Sequence, residues 1–394
     1  MKVTISKQIN DLSQSVLSSL DRLGMRPFYL IPERNDSYLL QTEHKTLALN
    51  GQMLNELVNL FFPLLDGSRT AAQIRHQLVD RVPAEKVTAT LEALAKQGLL
   101  ESIATPPAQI PQQSISYFNA LRRHLSKEDL AGWDAVQDLQ SAHVAIVGSN
   151  SMMYALVEDL LAIGIGQITL FGNPQIHSTD IAHSARLTVD DEGHSWLDIL
   201  RARLPLHKTN SAITYGGACP DTVNDWEQQL PSVDLLVVCQ RGISFFNNSL
   251  RSLNSVAQRR YVPLTVIADI HKVGLSVGPT IIPGETACYR CFELRFKSNL
   301  RQAELFQRVE QHIDHSLTEP EFGCFAPSEH LLAALAAHEI RDLLVKNRLA
   351  LSVGKMISLN LEDGYDLTVH SVLRVPRCEV CGKVHTTDKV RAWN

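Results

Sequence analysis

The chain has 394 residues, 44% of them hydrophobic, with a formal net charge of -5 and a pI near 6.3. That length allows two domains with a sizeable core, and the mild acidity gives no field for nucleic acid or anionic membranes. The opening MKVTISKQINDLSQSV lacks a basic start followed by an apolar run, and no segment is apolar enough to span a bilayer, so a cytoplasmic protein with no membrane partner is expected.

Residues 1–20 are polar with scattered Val, Ile and Leu and carry no decisive pattern. From Arg26, three short runs rich in Tyr, Leu and Ile (FYLIP, SYLLQT, KTLAL) are separated by the turn-forming ERND and TEH, which predicts a small meander. A helix carrying Met53, Leu54, Leu57, Val58 and Phe61 follows, closed by Asp66-Gly67. Ser68 then caps a helix over RTAAQIRHQL, and Pro83 opens another over AEKVTATLEALAKQG that ends at Gly98. Three strands, helix, turn, helix and the apolar exit Leu99-Leu100 predict a winged helix-turn-helix, a shape associated with DNA. Nine Lys/Arg against ten Asp/Glu between Asp21 and Ser102 leave no basic face for counterion release, so DNA binding is the weaker alternative.

The strand order, the phrase LDGSRTAAQIRHQL and the ending LAKQGLLES resemble the PqqD-like peptide-recognition domain, which binds leader peptides of ribosomally made, post-translationally modified products. The resemblance implies that a leader adds as a strand along Lys45, Thr46, Leu47, Ala48 and Leu49 and packs on the following helix at Val87, Leu91 and Leu94. Main-chain bonds then supply affinity and side-chain pockets supply specificity, with no charged surface required. A winged helix used only for dimer contacts is the other reading of residues 1–105.

Residues 106–116 belong to a Pro- and Gln-rich stretch without packing pattern and read as a linker. A helix or two carrying Leu121, Leu125, Leu130, Trp133, Val136 and Leu139 leads into HVAIVGSNSMMYALVEDLLAIGIGQITLFG, residues 143–172. That stretch predicts strand, tight loop, helix and second strand of a nucleotide-binding unit. The loop is degenerate: after Gly148 come Ser149, Asn150, Ser151 and Met152 where further glycines would let backbone N–H groups close on phosphate. The second strand ends Phe171-Gly172-Asn173, without the acid that would hold ribose hydroxyls. His177, His183 and His194 follow at spacings that share no face and read as surface residues.

Further strands (ITYGG, VDLLVVC, YVPLTVIADI) alternate with helices, which predicts a mainly parallel sheet covered on both faces. The chain then turns antiparallel through KVGLSVGPTIIPGETACYRCFELRF and continues to the loop and long apolar helix of FGCFAPSEHLLAALAAHEIRDLLVKN. It closes with a hairpin about Asp363-Gly364 and the phrase PRCEVCG. Cys288, Cys291, Cys378 and Cys381 form two C-x-x-C pairs, four thiolates suited to a closed tetrahedral zinc site that holds the fold and leaves no position for catalytic water. A redox role for one pair is the rival, without the strand-to-helix context of a thioredoxin motif. Cys324 reads as a buried small hydrophobe before a nucleophile, and Cys219 and Cys239 as packing residues.

Residues 117–394 resemble the ThiF/MoeB superfamily of ubiquitin-activating-like adenylating enzymes, on the strand-loop-helix-strand at 143–172, PGETACYRC, GCFAPS and CEVCG. Over both domains the chain is similar to ThiF-like leader-binding proteins that accompany YcaO-type cyclodehydratases. The family's magnesium-binding Asp would follow VDLLVVC, where this chain has Gln240-Arg241-Gly242, and only Arg186 and Lys208 could stand for its triphosphate-binding Arg and Lys. These losses make ATP an unexpected cofactor and point to a non-catalytic scaffold, with a precursor peptide and a YcaO-type cyclodehydratase as partners and a homodimer left open. A divergent enzyme that itself activates a peptide carboxylate with ATP is the alternative. The expected fold class is α/β: an N-terminal winged helix-turn-helix domain followed by a Rossmann-like, mainly parallel sheet with a zinc-stapled C-terminal part.

Overall fold

The structure, a computed structural model, describes residues 22–33, 37–42, 45–49, 57–103, 110, 114–125, 132–241, 247–270, 274–300, 304–305, 308, 326–345, 349–361, 364 and 366–382. The chain divides into two compact units, Met1–Pro107 and Ala108–Asn394.

In the first unit, β1 (Arg22–Met25) lies between β5 (Asp66–Thr70) and β6 (Leu100–Ile103), antiparallel to both. A separate antiparallel meander has β3 (Tyr38–Thr42) between β2 (Phe28–Pro32) and β4 (Thr46–Leu49), the three runs expected from the sequence. The expected closing turn at Asp66-Gly67 is instead a strand, because β1 offers its backbone groups to residues 66–70. Helix α1 (Ala71–Gln77) is therefore capped by Thr70 and not by Ser68. The Thr70 hydroxyl accepts from the Gln73 N–H at 3.3 Å and the Gln73 side chain accepts from the Thr70 N–H at 2.9 Å, a reciprocal capping box. The Ser68 hydroxyl is turned to Asp66. Helix α2 (Ala84–Lys96) places Val87, Leu91 and Leu94 on one face, where they pack with Leu23, Leu40 and Ile74. Of the helix expected around Met53, residues 51–56 lie outside the described residues and Leu57–Phe61 forms a π-helical turn.

The second unit opens with α3 (Ile115–Leu125) and α4 (Gly132–Ser141), so α3 begins inside the stretch read as linker. Its eight strands run in the order β14-β13-β12-β11-β10-β7-β8-β9. The strands are β7 (His143–Val147), β8 (Gln167–Phe171), β9 (Ala212–Gly217), β10 (Leu235–Arg241), β11 (Leu264–Ile270), β12 (Gly274–Ile281), β13 (Lys355–Asn360) and β14 (Asp366–Ser371). From β9 through β8, β7 and β10 to β11 the neighbours are parallel, and β12 to β14 add antiparallel strands. The parallel part has the 3-2-1-4-5 order of doubly wound folds, with the order reversing between β7 and β10. Val144, Ala145, Ile146 and Val147 are all buried, as a strand covered on both faces requires. Ala145, Val147, Leu236 and Val238 share one core with residues of α7 (Val223–Gln229), α8 (Asn248–Arg260) and α9 (Tyr289–Ser298), while α10 (Ala326–Leu344) packs along α5 (Ser151–Ala162). Helix α6 (Trp196–Arg203) precedes β9. Among the described residues no helix is long and apolar enough to cross a membrane.

Candidate functional site

The C-terminal ends of β7 and β10 meet at the reversal of strand order, the place where doubly wound folds bind ligands. Gly148 leaves β7 with φ +122°, and a Cβ there would stand 2.1 Å from the Cys239 carbonyl oxygen, so only glycine fits between the two strands. The next residues turn inward. Asn150 caps α5: its Oδ1 accepts from the Met153 N–H at 2.9 Å and its amide donates to the Cys239 carbonyl at 3.3 Å. The Ser151 hydroxyl donates to the Glu329 carboxyl at 2.6 Å, and Glu329, on α10, is 1% exposed. Met152 is buried in the face of α5.

Around this loop, the Asn173 side chain at the end of β8 is engaged by the Gln175 N–H at 3.0 Å and the His177 ring at 2.6 Å. The Arg186 guanidinium bonds Glu158 at 2.6 Å and the His330 ring, through Nε2, and lies 6.0 Å from the Tyr154 ring centroid. Burial, then the neighbouring Arg186, hold the His330 imidazole below its ordinary range, which suits it to accept from Arg186. The side chains of Lys208 and Arg241, and Cys324, lie outside the described residues. Cys239 is buried and its thiol is pushed up to about 12 by burial; Cys219, at the end of β9, is pushed up to about 11, by burial first and then by Asp221. Both thiols are therefore poor nucleophiles. The contact between Ser151 and Glu329, 178 residues apart, has no sequence signal.

The four cysteines of the two C-x-x-C pairs come together. Cys288 is the N-cap of α9, Cys291 lies in its first turn, and Cys378 and Cys381 flank a tight turn whose Gly382 N–H bonds the Cys378 carbonyl. The four sulfurs lie within 4.8 Å of one another, with Cys288–Cys291 at 3.8 Å, Cys288–Cys378 at 3.7 Å and Cys291–Cys381 at 3.5 Å. Those separations exclude formed disulfides and match the edges of roughly 3.8 Å expected of a tetrahedron with Zn–S bonds near 2.3 Å. The Val375 N–H points at Cys291 Sγ from 3.3 Å, and Arg290 from one pair donates to Glu379 of the other at 2.8 Å. Burial, then a hydrogen bond donated to Cys291, pushes the Cys381 thiol up to about 11, while the bonds Cys291 accepts, from Cys288 first, pull its thiol down to about 5, so one thiolate is already favoured and a cation would favour the rest. The residues fit a metal such as zinc, and among the described residues no other group of His, Cys, Asp or Glu does. His177, His183 and His194 do not converge on one.

In the first unit the expected peptide residues separate by role. Val87, Leu91 and Leu94 are 0%, 0% and 6% exposed in the unit's own core. An added peptide would therefore not meet them directly. Strand β4 ends its sheet, and the Lys45 ammonium ties its start to α2 by donating to the Gln97 carbonyl at 2.8 Å and the Gln97 side chain at 2.7 Å. The Thr42 N–H donates to the Lys45 carbonyl, so alternation along the ladder directs the backbone groups of Lys45, Leu47 and Leu49 to β3. Those of Thr46 and Ala48 point outward.

No protein-family model matches the chain, and no curated protein does. Solved structures do match, and they share its doubly wound α/β fold. E. coli MccB with ATP is 19% identical, covering 91% of this chain and 99% of that one with a TM-score of 0.60. The microcin C7 biosynthetic enzyme MccB in complex with N-formylated MccA gives the same identity, coverage and score. PaaA is 15% identical, covering 88% of this chain and 99% of that one, with a TM-score of 0.64. At these identities the likeness is one of fold.

Proposed function

We propose that this chain captures a ribosomally made precursor peptide by its leader and presents the remainder to a separate YcaO-type cyclodehydratase in the cytoplasm. The observation that carries the proposal is the outward-directed backbone of Thr46 and Ala48 on the end strand β4. Such groups accept an added strand whatever its side chains. Thr46 and Ala48 are exposed while Leu47 and Leu49 are half-buried, so the leader would lie beside an anchored strand. The proposal includes a winged-helix arrangement of this unit and allows a homodimer. MccB, which shares the fold, has been solved with the peptide MccA, which supports peptide capture by this architecture.

In this reading ATP is not used, supported by the Asn150 cap, the Glu329 carboxyl beside Ser151 and the engagement of Arg186 by Glu158. The second reading is an ATP-dependent peptide-activating enzyme. It is favoured by Gly148 at the reversal of strand order and by the MccB structure with ATP. Titrating purified full-length protein with the precursor encoded beside its gene, and following AMP, ADP and pyrophosphate, separates the two. Leader binding without nucleotide turnover supports the scaffold, and peptide-dependent turnover by this chain alone supports the enzyme.

A further inference from the structure

A cleft of about 490 Å3 opens between α8, the first turn of α9 and the Cys378–Cys381 turn. Asn254 lines it and is 1% exposed: its Oδ1 accepts from the Tyr289 N–H at 3.1 Å, while its Nδ2 donor has no acceptor among the described residues. A buried amide donor without an acceptor is uncommon and costly unless a ligand supplies one. The guanidinium groups of Arg251 and Arg290 stand on the same cleft and are fixed from behind by Glu293, which is 0% exposed. Val223 and Val380 give it apolar walls.

We propose that this cleft binds a monoanionic carboxylate carrying a small branched apolar group, with the carboxylate between Arg290 and the Asn254 amide. Arg251, Arg290 and Glu379 of the lining, taken with the buried Glu293 behind them and its third cation Lys297, leave one net positive charge, which suits a monoanion better than a dianion. Glu379 holds the place. Its side chain is 67% exposed and accepts from Arg290 Nε at 2.8 Å, and exposed pairs of this kind are weak enough to be exchanged. A ligand carboxylate then replaces one charge-assisted bond and adds the acceptor that Asn254 lacks. Because Arg290 and Glu379 are inner residues of the two C-x-x-C pairs, the cleft is in register with the cysteine cluster and independent of the leader proposal, which rests on the first unit.

The test uses full-length protein purified with its metal, and isobutyrate as the probe, followed by ligand-observed NMR. Isobutyrate is expected to bind at least about tenfold more tightly than isobutyramide, which keeps the shape and loses the charge. Glu379→Gln, at an exposed position, is expected to tighten isobutyrate about threefold or more by releasing Arg290, and Asn254→Leu to abolish binding. Isobutyrate no tighter than isobutyramide, or an affinity unchanged by Glu379→Gln, overturns the proposal even where Asn254→Leu fails to fold. Inorganic phosphate binding more tightly than isobutyrate also overturns it.

Discussion

Replacing Cys381 by serine, or chelating the metal, removes a staple between α9 and a turn 90 residues further along the chain. Closing a loop of that length costs an unfolded chain about 4 kcal/mol, taken as (3/2)RT ln n, and zinc binding to four thiolates contributes on the order of 10 kcal/mol. Domain stability as a whole is about 5–15 kcal/mol. Loss of the tether alone should lower the melting temperature by up to about 8 °C, at about 2 °C per kcal/mol for a unit this large. Loss of the full metal contribution should leave the second unit partly unfolded. Metal analysis should find near one zinc per chain, released by a mercurial titration of the thiols, and circular dichroism should report the melting shift on chelation. Protein purified without zinc, with its four thiols freely titratable and its melting unchanged by chelator, would refute the reasoning.

Glu293 is fully buried and paired with Arg251 at 2.6 Å, Arg290 at 2.8 Å and Lys297 at 2.9 Å, so Glu293→Gln should cost about 3–5 kcal/mol in urea unfolding with the zinc content retained. A loss under about 1 kcal/mol would show that the three cations are satisfied by water. Asp191 is held below its usual range: burial alone would raise it, but the Arg203 guanidinium at 2.6 Å and two Thr188 donors outweigh that. Its contribution to stability is therefore fully present above the unfolded aspartate value near pH 3.9 and is lost as pH falls from there through the lower folded value. Asp191→Asn should flatten the fall in melting temperature between about pH 5 and 3, and an unchanged slope would count against the assignment.

The strand-loop-helix-strand of 143–172 was legible because its periodicity changes from a buried run to a helical face and back within one unit. The cysteine pairs were legible because thiol spacing encodes a ligand set without reference to the rest of the fold. Strand β5 was not: DGSRT has the composition of a turn, and it is a strand only because β1, the short RLGM, lies beside it. The same pairing moved the cap of α1 from Ser68 to Thr70. At the strand ends, the residues that follow Gly148 were readable, but the contacts of Asn150 with Cys239 and of Ser151 with Glu329 were not, since Glu329 reaches Ser151 only through the packing of α10 on α5. The place of β4 was readable from its apolar run, but which of its rungs face outward was not. The Thr42–Lys45 bond decides that, while Val87, Leu91 and Leu94 are held in the unit's own core by the helical spacing of α2.

The central claim is tested most directly by leader affinity in the full-length chain carrying Ala48→Pro, with Ala48→Val as the control that keeps the N–H. Proline removes one outward donor of β4, a loss of about 2 kcal/mol or roughly thirtyfold in affinity, while valine should bind the leader as the parent does. Because the bonds are main-chain, affinity should change little between low and physiological salt. Unchanged leader affinity in Ala48→Pro, with the protein folded, would contradict strand addition at β4.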